Sequence, residues 1–320
     1  MRGSHHIIVS NSTVKYEFDI KRNITIIKGN SATGKTTLVE MINEHYESGD
    51  ESGVTVSCDK ECRVVAGREW KLLLSNINDS IVFIDEDNDF LPSVEFAEAV
   101  KCSDNYYVIV TREGLSNLPY SVDEIYGIKS SGKFSSLKQV YHEFYHIYGD
   151  NPPIMDSHPE TVIVEDSNSG YEFFNGVSEG KDYKVISAKG KSNIFKEIIA
   201  HRGEKILVIA DGAAFGSEVD RVMKLVSGNN RIILLLPESF EWLVLSSNVF
   251  SKKINSDILN HTSEYVESAE FFSWERFFTQ YLIDTTKNSY LAYSKHRLNP
   301  VYLHDVNRKA ILNTIKHISI

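Results

Sequence analysis

The chain has 320 residues, 42% of them hydrophobic and 24% charged, with a net charge of −10. That length exceeds what one core comfortably organises, so two domains are expected, and no run approaches the roughly 18 consecutive apolar residues of a membrane span. The charge is uneven: residues 1–150 carry 15 Lys+Arg against 23 Asp+Glu, a balance of −8, and the remainder carries −2, which makes the first half a poor nucleic-acid surface.

Met1-Arg-Gly-Ser-His-His6 has the composition of an expression-tag remnant and is set aside from fold reasoning; no secretory leader is visible. Three cysteines, Cys58, Cys62 and Cys102, are too few and too odd a set for a disulfide framework, so a reducing, cytoplasmic setting is expected. Residues 6–20 alternate as two strands around an Asn-Ser turn.

Residues 23–42 carry the strongest signal. Ile24, Ile26 and Ile27 read as a buried strand, and Leu38, Val39, Met41 and Ile42 as the buried face of a helix. Between them Gly29, Asn30, Ser31, Ala32, Thr33, Gly34, Lys35 and Thr36, with Thr37 next, fit the phosphate-binding pattern GxxxxGK[ST]. The glycines let backbone N–H groups turn inward, and the helix begins with unpaired donors and a positive dipole end. A polyphosphate such as ATP is the expected ligand, with Lys35 on its terminal phosphates and the Thr36 hydroxyl on a bridging Mg²⁺.

Val54–Val65 reads as a hairpin that brings Cys58 and Cys62 together; zinc would need two more ligands, so a structural role is expected. After a helix near Trp70–Leu74, Ser80-Ile-Val-Phe-Ile-Asp-Glu86 is a buried strand ending in two acids, the Walker B pattern. Its strand is expected to deliver Asp85 beside the phosphate loop to orient Mg²⁺, with Glu86 polarising the attacking water and Asp87 and Asp89 nearby. A helix over Val94–Val100 leads to the strand Tyr106–Arg112.

These motifs resemble ABC/RecA-like P-loop ATPases, and the opening hairpin is similar to the entry of ABC-like domains. The resemblance implies that Thr111 and Arg112 sense the terminal phosphate. It departs at one place: no LSGGQ-type signature precedes Asp85, and the similar run Ser130-Ser-Gly-Lys133 follows it, so ABC-style dimerisation is not implied. His142-Glu-Phe-Tyr-His146 matches the HExxH zinc-protease pattern, but the aromatic-rich surroundings and the lack of a third ligand predict a packing helix.

Asn151-Pro-Pro153 and Ser157-His-Pro159 mark a linker over 151–159. Beyond it strands at 161–165, 183–186, 205–210 and 231–236 alternate with helices, which predicts a second parallel sheet over 160–250. Glu165 ends its first strand, Gly190 follows the second, and Asp211 ends the third. That order resembles the Toprim domain, and the resemblance implies Mg²⁺ held by Glu165 and Asp211 for phosphodiester chemistry. Ala213 stands where the second aspartate of DxD is expected; Glu218, Asp220, Glu238 or Glu241 could replace it, or the unit is a plain flavodoxin-like domain. Residues 251–320 read as a helical tail on this second domain.

The fold class is therefore α/β with two parallel-sheet domains, an N-terminal P-loop NTPase over 1–150 and a Toprim-like or flavodoxin-like domain. The combination resembles the overcoming-lysogenization-defect ATPase-nucleases. It implies Lys35, Glu86, Glu165 and Asp211 as catalytic residues, and ATP hydrolysis that controls a unit acting on or binding nucleic acid in phage or mobile-element conflict. Basic clusters at Lys181/Lys184/Lys189/Lys191 and Lys295-His-Arg297 with Arg308-Lys309 are where phosphate contact would fall. Two alternatives stand beside it: a nucleotide-driven switch whose second half is a catalytically silent protein-binding module, and a small-molecule kinase. An oligomer is compatible with each.

Overall fold

A computed structural model describes residues 1–29, 33–130, 139–148, 158–250 and 254–315. The chain divides into two compact units: unit 1 comprises Met1–Gly149 with His261–Ser273, and unit 2 comprises Asp150–Asn260 with Trp274–Ile320. Among the described residues no helix is long and apolar enough to cross a membrane.

Unit 1 contains β1 (His5–Ser10), β2 (Val14–Ile20), β3 (Ile24–Lys28), α1 (Lys35–Ser48), β4 (Thr55–Ser57), β5 (Glu61–Val64), α2 (Trp70–Leu74), β6 (Ser80–Ile84), α3 (Val94–Lys101), β7 (Tyr106–Val110), β8 (Ile125–Ser130) and β9 (Val140–His146). The strands form one mostly parallel sheet in the order β4-β1-β2-β9-β8-β3-β7-β6-β5. β3, β6 and β7 are buried at every position, as continuous apolar runs in a covered parallel sheet must be.

The sheet is strongly curled. A flat sheet of this many strands would hold its edges almost 40 Å apart at ~4.8 Å per strand. Yet β4 and β5, its two end strands, are joined through Cys58–Lys60, a link that reaches at most ~14 Å. The sheet therefore curls around α1, whose Leu38, Val39, Met41 and Ile42 fill the inside. The predicted Val54–Val65 hairpin does not form, because β4 pairs with β1 and β5 with β6.

Two further expectations are corrected. Met1 and His5 are buried, and His5 opens β1, so the first six residues belong to the fold. His142–His146 lies in strand β9, where aromatic and β-branched residues favour the extended chain. His142 stacks on Tyr16, Phe144 on Phe18, and His146 packs on Tyr126. Four residues along a strand separate the two imidazoles by ~13 Å, too far to share one zinc.

Residues 261–273 also depart from the expected tail: Gly3 N donates to Ser263 O (2.8 Å), Asn23 Nδ2 to Phe272 O (3.0 Å), and Ser268 Oγ to Asp104 O (2.9 Å). The segment is thus hooked to the entries of β3 and β7, the sheet edge opposite the loop over 29–34.

Unit 2 contains β10 (Thr161–Val164), α4 (Ser169–Val177), β11 (Lys184–Ser187), α5 (Lys191–Ala200), β12 (Ile206–Ile209), α6 (Gly216–Val226), β13 (Ile232–Leu235), α7 (Phe240–Ser246), α8 (Ser256–Asn260), α9 (Trp274–Thr286) and α10 (Asp305–Leu312). Its four strands are all parallel in the order β11-β10-β12-β13. The chain winds from β10 to β11 and then reverses to β12, so the switch point lies between β10 and β12, where α/β sheets open a crevice. Of the expected linker, 151–157 lies outside the described residues.

Candidate functional site

In unit 1 the buried strand β3 ends at Lys28, and Gly29 turns the chain with φ 142°. Asn30, Ser31 and Ala32 lie outside the described residues. Gly34, the residue before α1, has φ 90°, and a Cβ there would stand 2.6 Å from Tyr16 Oη and 3.1 Å from His142 Cε1. Only glycine meets both demands. Tyr16 Oη donates to Gly34 O (2.8 Å), so β2 and β9 brace the loop from below. Lys35 is 5% exposed and curls back, its Nζ donating to Gly29 O (3.0 Å) and Thr33 Oγ1 (3.1 Å). Thr36 and Thr37 sit exposed in the first turn of α1, where no acidic side chain competes with an anion.

Asp85 and Glu86 follow β6, but β7 lies between β6 and β3. The acids thus stand at the same sheet edge as the loop, two strand spacings, ~10 Å, from it. Register keeps the ends level, since Ile26 aligns with Ile109 and Ile109 with Ile84. Asp85 Oδ1 accepts from Glu86 N (2.7 Å), and Asn88 Nδ2 donates to Asp85 O (2.9 Å), fixing the turn. Arg112, one residue past Thr111 at the end of β7, grips Glu86 through two donors, Nε to Oε2 (2.9 Å) and Nη2 to Oε1 (2.7 Å). Hydrogen bonding to Glu86 pushes the Arg112 pKa up. A cavity of about 590 Å³ opens here, lined by Glu86, Asp87, Asp89, Thr111, Arg112 and Glu113 among others.

In unit 2 Glu165 and Asp211 emerge from β10 and β12 at the switch point. Glu165 N extends the ladder to Ile209 O (2.9 Å), and Glu165 Oε2 accepts from Asp211 N (2.9 Å). Asp211 Oδ1 in turn accepts from Phe240 N (3.2 Å) at the start of α7. Burial pushes Glu165 up to about 7 and raises Asp211 well above the usual carboxylate range; Glu275 and Glu165 add to the Asp211 shift. Asp166 is raised by burial as well, and burial lowers Lys191.

The structure joins residues that the sequence did not single out together. Lys295 Nζ lies 3.1 Å from Glu241 Oε1 and 3.3 Å from Glu275 Oε1, and Tyr293 Oη donates to the same Glu241 oxygen (2.7 Å). Glu241, one of the proposed replacements for the missing aspartate, is fully buried in this network. Ala213 is 2% exposed, and its N–H is tied to Glu238 O (3.2 Å). The cavity beside Glu165, Asp166 and Asp211 measures about 10 Å³. That is room for one water at most. Among the described residues no group of three or more His, Cys, Asp or Glu side chains is placed to hold a metal ion.

Tyr16 and Glu275 were missed, and His142 and Lys295 were read in other roles, because each is remote in sequence from the residues it touches; only the pairing of β2 with β9, and of Lys295 with Glu241 and Glu275, reveals them. No protein-family model matches the chain, and no curated protein matches it either.

Proposed function

We propose that unit 1 binds ATP with Mg²⁺ and hydrolyses it, and that unit 2 is a catalytically silent binding module governed by the nucleotide state. The observation that carries the first half is Lys35: a buried ammonium resting on two neutral loop oxygens between positive-φ glycines. Phosphate oxygens are stronger acceptors than a carbonyl and a hydroxyl, so a polyphosphate displaces them with gain. Thr36 would hold the ion, Asp85 would orient its coordinated water across the ~10 Å gap, and Glu86 would position the attacking water once Arg112 turns to the terminal phosphate.

Support for the second half comes from the closed unit 2 site, with Ala213 and the Glu241–Lys295 pair where a metal would need open carboxylates. Control is supported by connectivity: the chain leaves unit 2 at Asn260, threads His261–Ser273 through unit 1 and returns at Trp274. One observation keeps a nucleic-acid-cleaving reading alongside, since Glu165 and Asp211 do converge across the switch point.

Phosphate release from ATP with Mg²⁺ tests the reading. Wild type turns over, Glu86→Gln binds ATP but loses turnover by roughly 100-fold or more, and Lys35→Ala loses binding. Unchanged binding and turnover in Lys35→Ala would remove the premise. Cleavage of DNA or RNA by wild type with Mg²⁺ or Mn²⁺, abolished in Glu165→Gln and Asp211→Asn, would replace the silent module with a nuclease.

A further inference from the structure

Cys58 and Cys62 belong to neither site. Cys58 is half-buried in the link after β4, and Cys62 is buried within β5. These are the two end strands of the nine-stranded sheet, so the cysteines sit where its edges meet. Both sulfurs bond the backbone of the same residue, Lys60, and Cys58 Sγ also donates to Asp59 Oδ1 (3.5 Å). Lys60 N donates to Cys58 Sγ (3.5 Å), and Cys62 Sγ donates to Lys60 O (3.9 Å). Cys62 is part of the core that α1 fills, and Cys58 packs against that core. Cys102, exposed after α3, is a natural control for general thiol reactivity.

We propose that Cys58 and Cys62 are a reversible dithiol–disulfide pair which, oxidised by a low-molecular-weight disulfide, staples the two edges of the unit 1 sheet around α1. Cys58, the more exposed sulfur, attacks the oxidant RSSR as thiolate, forming Cys58–S–SR and releasing RS⁻, which takes up the Cys58 proton. Cys62 then attacks the Cys58 sulfur; the Cys58–Cys62 bond forms, the S–SR bond breaks, and the second RS⁻ takes the Cys62 proton. The protein loses two electrons and two protons, and RSSR becomes two RSH.

The division of roles follows the environment. The neighbouring Cys62 thiol, helped by the Lys60 N–H, lowers the Cys58 pKa and favours its thiolate, whereas the Cys58 sulfur and burial raise Cys62. A partly exposed attacker beside a resolving partner is the arrangement of redox-sensing thiols, and in a reducing compartment such a bond is transient. Both sulfurs are gathered on the Lys60 backbone, so closure needs side-chain rotation and a backbone adjustment within a three-residue link.

Oxidised glutathione applied to the full chain, followed by acid quench, alkylation and peptide mass mapping, is the test. Wild type yields the Cys58–Cys62 bond and only a glutathione adduct on Cys102. Cys62→Ser stops at a glutathione adduct on Cys58, and Cys58→Ser leaves Cys62 unmodified. Amides of β4 and β5 then exchange roughly threefold or more slowly in oxidised wild type, and not in Cys62→Ser carrying the adduct. Separate adducts on both cysteines without the internal bond would overturn the proposal. So would equal modification of Cys62 in Cys58→Ser, or unchanged exchange in the cross-linked protein. No readout involves nucleotide, so this proposal stands or falls apart from the ATPase reading.

Discussion

At the carboxyl edge of the unit 1 sheet, Glu86 and Arg112 border a cavity of about 590 Å³, whereas at the same edge of the unit 2 sheet Glu165 and Asp211 border one of about 10 Å³. Both edges carry a cluster of acids, Glu86, Asp87 and Asp89 in unit 1 and Glu165, Asp166 and Asp211 in unit 2. The unit 1 acids stay at the rim, with Glu86 held by an exposed arginine. Those of unit 2 are desolvated, bonded to backbone N–H groups, and close to a buried network of Glu241, Tyr293 and Lys295. Acidic strand ends are therefore poor evidence of function by themselves; what separates the two is whether a ligand displaces weak contacts or must break strong ones.

The sharpest way to break this contrast is Ala213→Asp, which restores the missing carboxylate. Ala213 is 2% exposed, so a new charge there lacks solvent. Unit 2 should lose about 3 kcal/mol or more in denaturant unfolding, and Mg²⁺ should not restore it. Recovery of stability by millimolar Mg²⁺ would show instead that the site is one substitution from a working metal centre.

Glu165→Gln sharpens the same contrast through pH. Burial lifts Glu165 from 4.5 to about 7. Because the folded value is the higher one, the stability this group contributes is fully present below ~4.3 and is lost as pH rises through about 7. The glutamine keeps the oxygen that accepts from Asp211 N and removes the charge, so the variant should match wild type at pH 4 and exceed it by ~2 kcal/mol at pH 8. Glu124 in unit 1 is raised to about 7 by burial as well, so the quantity to compare is the difference between variant and wild type at each pH. A variant less stable than wild type at pH 8 would mean that the carboxylate is held ionised and used.

Much of this was legible in the chain. The strand, glycine loop and helix over 24–48, the buried strand before Asp85 and the alternation after 160 were readable because each rests on local periodicity or fixed spacing. His142–His146 was not, since an aromatic run with histidines four apart suits a helix face or a strand face, and only pairing with β2 and β8 decides. The curled sheet was hidden for a related reason: β4 and β5 are close in sequence yet pair with strands at opposite ends of the order. Closure of the second site was least readable, because Glu241, Glu275 and Lys295 come from three separate segments after the motif.

Gly34→Ala tests whether the open site is as preorganised as its backbone suggests. The methyl meets Tyr16 Oη at 2.6 Å in a backbone region that side chains disfavour. Strain of about 1–3 kcal/mol should shift the start of α1 and weaken ATP binding by roughly 10- to 100-fold, measured by calorimetry. Tyr16→Phe, which removes only the hydrogen bond to Gly34 O, should cost less than the alanine. Equal effects would place the constraint in that bond and not in the glycine.

Arg112→Ala carries the smallest expected change in stability and separates holding from sensing. Its side chain is 60% exposed, so solvent screens the pair with Glu86 and its loss should leave folding stability little changed. If Arg112 merely parks Glu86, its loss frees the carboxylate and turnover rises. If it turns to the terminal phosphate, as proposed, kcat should fall roughly tenfold or more with KM little changed, because the contact strengthens as charge develops on the transferring group. Arg112→Lys decides between charge and geometry: lysine keeps the charge but loses the two-donor fork that reaches both Glu86 oxygens. A lysine variant as slow as the alanine would assign the effect to the fork, and a lysine variant near wild type would assign it to charge alone.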